Sequence, residues 1–156
     1  MDKYKCLKIL PDDEMYISII ASWYFHEWGI PEADTINRIK GLGTDNEAFQ
    51  VLLTLDGKPI ATGGLYNQVG LLNKLPHLKI HKHWLALVYT IPEYRGKGAG
   101  SAICMEIERM AGNLGCSVIY LFTHTAENLY QRLGWKTVQR LILADKNIAI
   151  MKRDVL

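Results

Sequence analysis

Between Arg95 and Ser101 the chain reads "RGKGAGS", with Gly96, Gly98 and Gly100 alternating with Lys97 and Ala99 behind an arginine. Residues of these types at this spacing can hold an anion. Glycines remove the Cβ atoms that would keep an oxygen-rich ligand off the backbone, and the two cations add attraction. Downstream, Ile103, Ile107, Met110, Ala111 and Leu114 recur at helical spacing, and Gly115 suits the residue after a helix end. A helix starting at Gly100 sets its unpartnered N–H groups and its positive dipole end beside the glycines. Upstream, "HWLALVYT" is a short apolar run with β-branched and aromatic members and reads as a buried strand. Strand, glycine-rich turn and helix together make a site for a phosphate-bearing ligand.

Two nucleotide sites of that outline are excluded. A P-loop needs glycine, lysine, then serine or threonine at the helix start, whereas Lys97 here precedes Gly98. A dinucleotide fingerprint needs an acid near the end of the next strand, and "SVIYLFT" contains none.

The elements that carry this turn follow from patterning. "YKCLKIL" reads as a first strand. In "PDDEMYISIIASWYFHEWG", Asp12 or Asp13 serves as N-cap, Met15, Ile19, Ile20 and Trp23 share a face, and Gly29 closes the helix. "EADTINRIKGLG" is a shorter helix. "AFQVLLTLDGKPIATGGLY" is a hairpin turning on Asp56-Gly57. "CSVIYLFT" is another buried strand, "AENLYQRLG" a short helix, and "KTVQRLILADKNIAIMKRDV" a closing hairpin turning near Asp145-Lys146-Asn147. Strand–helix–strand flanked by hairpins gives a mixed sheet of the α+β kind.

With 156 residues, the chain is most simply one domain. Eighteen basic against sixteen acidic residues leave +2, scattered without a run, which does not argue for nucleic acid. Cys6, Cys104 and Cys116 are odd in number and form no CxxC pair, so a reducing compartment is expected and a zinc site is not. "MDKYKCLKIL" lacks an apolar leader core, and no apolar run approaches the roughly 20 residues of a membrane span. A soluble cytoplasmic protein is expected.

"PEYRGKGAGSA" resembles the pyrophosphate-binding signature of the GNAT N-acetyltransferases: arginine or glutamine, two residues, glycine, one residue, glycine or alanine. Arg95, Gly98 and Gly100 fill the defined positions. The likeness runs from the first strand to the closing hairpin. It implies the GNAT (acyl-CoA N-acyltransferase) fold, α+β, with a mixed, mostly antiparallel sheet flanked by helices, as a single domain over residues 1–156. It also implies acetyl-CoA as cosubstrate, with no metal. Gly96, Lys97, Ala99 and Ser101 join the cofactor-binding turn by the same resemblance. The backbone of Val88, Tyr89 and Thr90 falls where the family offers hydrogen bonds to the pantetheine arm, in the manner of an added strand.

"AENLYQRLGW" resembles a second family motif through Ala126, Tyr130, Gly134 and Trp135. The resemblance implies that Tyr130 lies near the CoA sulfur and protonates the departing thiolate. A phenol of pKa about 10 is a suitable donor to a thiolate whose thiol has pKa about 8.5. Many members carry asparagine three residues before the alanine, where this chain has Thr123.

An amine acceptor must lose a proton before it attacks a thioester carbonyl. The base is open among His83, Glu27 and a water chain to solvent. His81 alternates with His83, and Trp23, Tyr24 and Trp28 flank Glu27 on a helix that in the family lines the acceptor side. The implied function is an acetyl-CoA-dependent N-acetyltransferase acting on a primary amine by direct attack in a ternary complex. The alternative is an acyl-CoA-binding sensor without turnover. The partner expected is an amine-bearing acceptor, neither nucleic acid nor membrane, and a homodimer is left open.

Overall fold

The computed structural model describes residues 3–44 and 47–156. Met1 and Asp2, which open the stretch read above for a leader, lie outside the described residues. Among the described residues seven strands form one sheet: β1 (Tyr4–Lys8), β2 (Phe49–Leu55), β3 (Lys58–Tyr66), β4 (Trp84–Thr90), β5 (Val118–Thr123), β6 (Lys136–Leu143) and β7 (Lys146–Asp154). The order across the sheet is β1-β2-β3-β4-β5-β7-β6. β4 and β5 run parallel, and every other neighbouring pair is antiparallel.

The α-helices of the described residues are α1 (Glu14–Trp28), α2 (Glu32–Lys40), α3 (Leu71–Lys74), α4 (Ala99–Asn113) and α5 (Glu127–Arg132). Strand β2 is buried on both faces. β2 sends Val51 and Leu53 into the cluster that holds Ile103 and Ile107 of α4, and Leu52 into the one that holds Ile17, Ile20 and Tyr24 of α1. Full burial of each such aliphatic side chain is worth about 1.5–3 kcal/mol. α4 lies close against β3, because a Cβ at Gly63 would stand 2.7 Å from Ile103 Cγ2.

The β2–β3 hairpin turns where expected, with Asp56 at φ 50° and Gly57 at φ 84°. Both central residues at positive φ fit a tight turn whose twist matches the strands. The closing hairpin turns slightly earlier than expected, on Ala144 and Asp145 at φ 51° and 65°.

α1 is rotated from the expected face. Its buried residues are Ile17, Ile20, Ala21 and Tyr24, while Met15 is 69% exposed. The spacing 17, 20, 21, 24 is the full helical stripe, and Met15 falls outside it. Asp13 does occupy the N-cap position, yet its carboxylate accepts from the Leu10 N–H at 2.7 Å rather than from the helix. Gly29 ends α1 in the left-handed conformation, donating to Phe25 O at 2.8 Å.

The β3–β4 connection carries structure the patterning did not indicate. α3 and a 3₁₀ turn over Pro76–Ile80 bury Leu71, Leu72 and Leu78 beside Trp84. Among the described residues no helix is long and apolar enough to cross a membrane.

Candidate active site

β4 and β5 are neighbours for a very short distance. Their ladder consists of the pair Trp84 and Tyr120, where the Tyr120 N–H donates to His83 O at 2.9 Å. Beyond that point the strands part. A cleft of about 740 Å³ opens, lined by Leu85 to Val88 of β4 and by Leu121 to Thr123 of β5. The joint between α1 and α2 closes one side with Trp28 and Ile30, and Leu143 and Ala144 of the final hairpin close another.

A bulge in β4 shapes the wall of this cleft. The register with β3 shifts between Thr62 and Gly64, and Leu87 sits at φ 59°. A leucine at positive φ is strained, and such strain persists where surrounding bonds over-determine it. Here the Tyr24 hydroxyl donates to Leu87 O at 2.6 Å. Tyr24 is itself held, since Gln50 Nε2 donates to its oxygen at 2.9 Å and to Thr62 Oγ1 at 2.8 Å. The Tyr66 hydroxyl donates to Gln50 Oε1, which completes a buried polar network beneath the bulge.

The glycine turn follows directly. Gly98 caps α4 in the left-handed conformation at φ 89°, and Gly96 has φ 76°. A Cβ at either would meet no atom within 4 Å, so the backbone there faces open space. The helix ladder begins with the Ala102 N–H donating to Gly98 O at 3.0 Å. The amides of Ala99, Gly100 and Ser101 therefore have no partner within the helix and mark its positive end. α4 starts one residue before the expected Gly100. A Cβ on Gly100 would sit 3.8 Å from Thr90 Oγ1 and 3.9 Å from Val88 Cγ1, which are ordinary contacts.

Arg95 is committed to the turn's own architecture. Its Nε donates to Thr90 O at 2.8 Å, and its guanidinium carbon lies 5.4 Å from the Tyr89 ring centroid. Its Nη2 stands 3.6 Å from a Glu27 carboxylate oxygen, so the turn is tied to α1. Lys97 is exposed, its Nζ 5.4 Å from the Tyr94 ring centroid. Tyr89 also packs 5.4 Å from Trp23 and 6.1 Å from Trp28, ring centre to ring centre.

Tyr130, on α5, lines the cleft from the β5 side. Its phenol lies beside the Cys104 thiol of α4, and its ring lies edge-on to Trp135 at 6.0 Å. Burial, reinforced by the neighbouring Cys104, holds the phenol protonated well above the ordinary tyrosine range. Burial likewise pushes the Cys104 thiol up to about 12, with Glu108 adding to the shift. Thr123 has a definite use here, for its Oγ1 accepts the Ala126 N–H at 3.1 Å and fixes the start of α5. Gly134 takes φ 96°, and its carbonyl accepts from Arg153 Nη1 at 2.9 Å.

Neither Glu27 nor His83 lines the cleft. Glu27 is held in the Arg95 pair, and His83 precedes β4 at the end where the strands are joined. His83 Nδ1 is buried without a partner among the described residues, and His81 stacks on Tyr120 at 3.8 Å. The imidazole that does line the cleft is His124, between Thr123 and Thr125. Arg38, Lys74 and Lys146 line it too. The patterning placed none of these four at the site, Lys146 being read only as a turn residue, because nothing in the sequence around each marks it for a ligand.

The model of the acetyltransferase (GNAT) family matches residues 14–135. The chain belongs to the GNAT acetyltransferase family. As a GNAT acetyltransferase it shares its fold with solved members of low identity. An aminoglycoside 6'-N-acetyltransferase solved with coenzyme A is 15% identical, with 97% of each chain covered and a TM-score of 0.75. The aminoglycoside 6'-N-acetyltransferase from Enterococcus faecium is 16% identical, covers 97% of each chain and has a TM-score of 0.76. A Salmonella typhimurium protein described as an acetyltransferase, solved with its cofactor acetyl-CoA, is 11% identical. It covers 97% of this chain and 94% of its own, with a TM-score of 0.75. No curated protein sequence matches this GNAT chain. Among its described residues no group of three or more His, Cys, Asp or Glu side chains is placed to hold a metal ion.

Proposed function

We propose that this chain is a single-domain N-acetyltransferase, residues 1–156, that moves an acetyl group from acetyl-CoA to a primary amine by direct attack in a ternary complex. The observation that carries the proposal is the parting of β4 and β5 at a bulge, directly before an open glycine turn at a helix start. The amides of Gly98 to Ser101 receive the pyrophosphate, with Gly96 and Lys97 at the rim and Arg95 bracing the turn. The free edge of β4 from Val88 to Thr90 offers N–H and C=O groups to the pantetheine arm.

Beside the strained Leu87, the Val88 amide polarises the thioester oxygen and stabilises the charge that builds as the amine attacks. As the C–S bond breaks, Tyr130 gives its proton to the sulfur. Among the groups that line the cleft, His124 is able to accept the proton that the amine must lose. Free thiols at Cys6, Cys104 and Cys116 support a reducing, cytoplasmic setting.

The test is calorimetric titration with CoA followed by thiol release from acetyl-CoA with a panel of primary amines. Binding together with amine-dependent release is the expected result. CoA binding without release for any amine would leave a sensor, and absence of CoA binding would overturn the cofactor assignment.

A further inference from the structure

The cleft has a one-sided charge. Its basic lining consists of Arg38 from α2, Lys74 from α3, His124 after β5 and Lys146 at the start of β7; the Tyr130 phenol is held protonated, and no Asp or Glu lines the cleft among the described residues. Elsewhere among the described residues Lys40, Lys58, Arg95, Arg109, Arg140 and Arg153 each pair with a carboxylate, while exposed cations such as Lys79 and Lys136 do not, so what marks the cleft is the gathering of cations without an acid. None of Arg38, Lys74 and Lys146 pairs with a carboxylate among the described residues. Net charge does not explain this gathering, since the chain carries only +2.

Arg38 is the most firmly seated of the three. Its guanidinium carbon lies 5.3 Å from the Tyr66 ring centroid, and that ring is fixed by its hydrogen bond to Gln50. A guanidinium stacked on an aromatic face keeps its planar donors free for an oxyanion. Lys74 and Lys146 approach from separate elements and add mobile charge.

Resting on the acetyltransferase reading above, we infer that the acceptor is a primary amine that also carries an anionic oxyacid group, a carboxylate or a phosphate, bound by Arg38, Lys74 and Lys146. A polycationic acceptor such as an aminoglycoside is disfavoured by the same charges, so the fold shared with aminoglycoside acetyltransferases does not extend to the acceptor. The lining has a second effect. Positive charge near an incoming ammonium disfavours its charged form, which eases the deprotonation that attack requires.

The experiment compares matched acceptors under saturating acetyl-CoA: 4-aminobutyrate against its amide, O-phosphoethanolamine against ethanolamine, and kanamycin as polycation. The anionic member of at least one pair should exceed its neutral counterpart in kcat/KM by about 10- to 100-fold, the usual worth of one charge-assisted contact. The two pairs distinguish carboxylate from phosphate. In the Arg38→Gln/Lys74→Gln/Lys146→Gln triple variant that ratio should collapse toward one, while Lys40→Gln, away from the cleft, should preserve it. Equal or better turnover of neutral amines or kanamycin overturns the inference and leaves the acetyltransferase reading intact. Should no amine be acetylated, that reading fails separately. The charge inference is then decided by calorimetry of the CoA complex with N-acetyl-4-aminobutyrate and its amide: preference for the acid, lost in the triple variant, supports it, and absence of preference overturns it.

Discussion

The hydroxyl of Tyr24 donates to the carbonyl of Leu87 at 2.6 Å, joining the first helix to the bulge in β4. This bond sets the orientation of the Leu87–Val88 peptide, whose amide is the proposed oxyanion donor. Tyr24→Phe keeps the ring but leaves the Leu87 carbonyl and one Gln50 N–H without a partner, a cost of about 1–3 kcal/mol. Denaturant unfolding should register that loss. Turnover should fall further than folding alone explains, by up to about 10²-fold, the order of losing an oxyanion donor. KM for acetyl-CoA should change little. A variant equally fast at a temperature where it is fully folded would detach Tyr24 from the chemistry.

The middle and last glycines of the turn, Gly98 and Gly100, are expected to respond differently. Gly98 stands at φ 89°, where an alanine costs about 1–2 kcal/mol in backbone strain and its Cβ intrudes on the open side of the turn. Gly98→Val should therefore weaken CoA binding severely. Gly100 lies inside the first turn of α4, and its added Cβ meets only ordinary contacts at 3.8 and 3.9 Å. Gly100→Ala should retain the fold, with helix propensity gaining about 1 kcal/mol, while CoA affinity declines if phosphate approaches that amide. Calorimetry on both folded variants checks this, and unchanged affinity in each would remove the phosphate from the turn.

Tyr130→Phe isolates one proton. The ring retains its contact with Trp135, and losing one hydroxyl beside a neutral thiol should cost at most about 1 kcal/mol of stability. If the phenol supplies the proton to the leaving sulfur, kcat should drop by about 10²–10⁴-fold with CoA affinity preserved. Because burial raises the phenol's pKa, the native enzyme keeps this donor protonated beyond the ordinary tyrosine range. Any decline of kcat due to its ionisation is thus confined to strongly alkaline solution and should vanish in the variant. A wild-type rate and pH profile would count against the role.

Alkaline pH should destabilise the fold in a predictable window. The Cys104 thiol moves from 9.0 to about 12 in the folded chain, and burial also raises Tyr24, Tyr66 and Tyr130. A raised folded pKa means that the native state holds its proton after the unfolded chain has released it. The associated stability is complete below about pH 9 and is lost as pH climbs towards about 12. Each group adds a limiting slope of about 1.4 kcal/mol per pH unit within its own window. Unfolding free energies across that range should fall steadily, and Cys104→Ala should flatten the slope by about one group's share.

The local conformations of those parts of the candidate site that lie in contiguous sequence were legible before the structure. The turn from Arg95 to Ser101 and the run from Ala126 to Trp135 use residues whose local conformations are special, with Gly96, Gly98 and Gly134 at positive φ. The β2–β3 hairpin was visible for the same reason at Asp56 and Gly57. Leu87 shows the opposite case: leucine carries no signal for positive φ, and the network that enforces it comes from Tyr24, Gln50 and Tyr66 on three other elements. The cleft cations were hidden likewise, since Arg38, Lys74 and Lys146 are far apart in sequence and meet only through the tertiary fold. Met15 misled because any amphipathic stripe drawn from few apolar residues can slip around the helix, and Ile17 resolves it.

The brief contact between β4 and β5 has a mechanical consequence. A continuous sheet transmits cooperativity through its ladder, but here that ladder is interrupted after Trp84 and Tyr120. The halves β1–β4 and β5–β7 are consequently sutured mainly by the helix that leaves β4 and returns at β5, and by side chains packed beneath it. A ligand whose arm bonds the free edge of β4 would splice the seam and lend the two halves a common unfolding event. Donor occupancy would then be recorded in the backbone itself, as slowed amide hydrogen exchange along Val88 to Thr90.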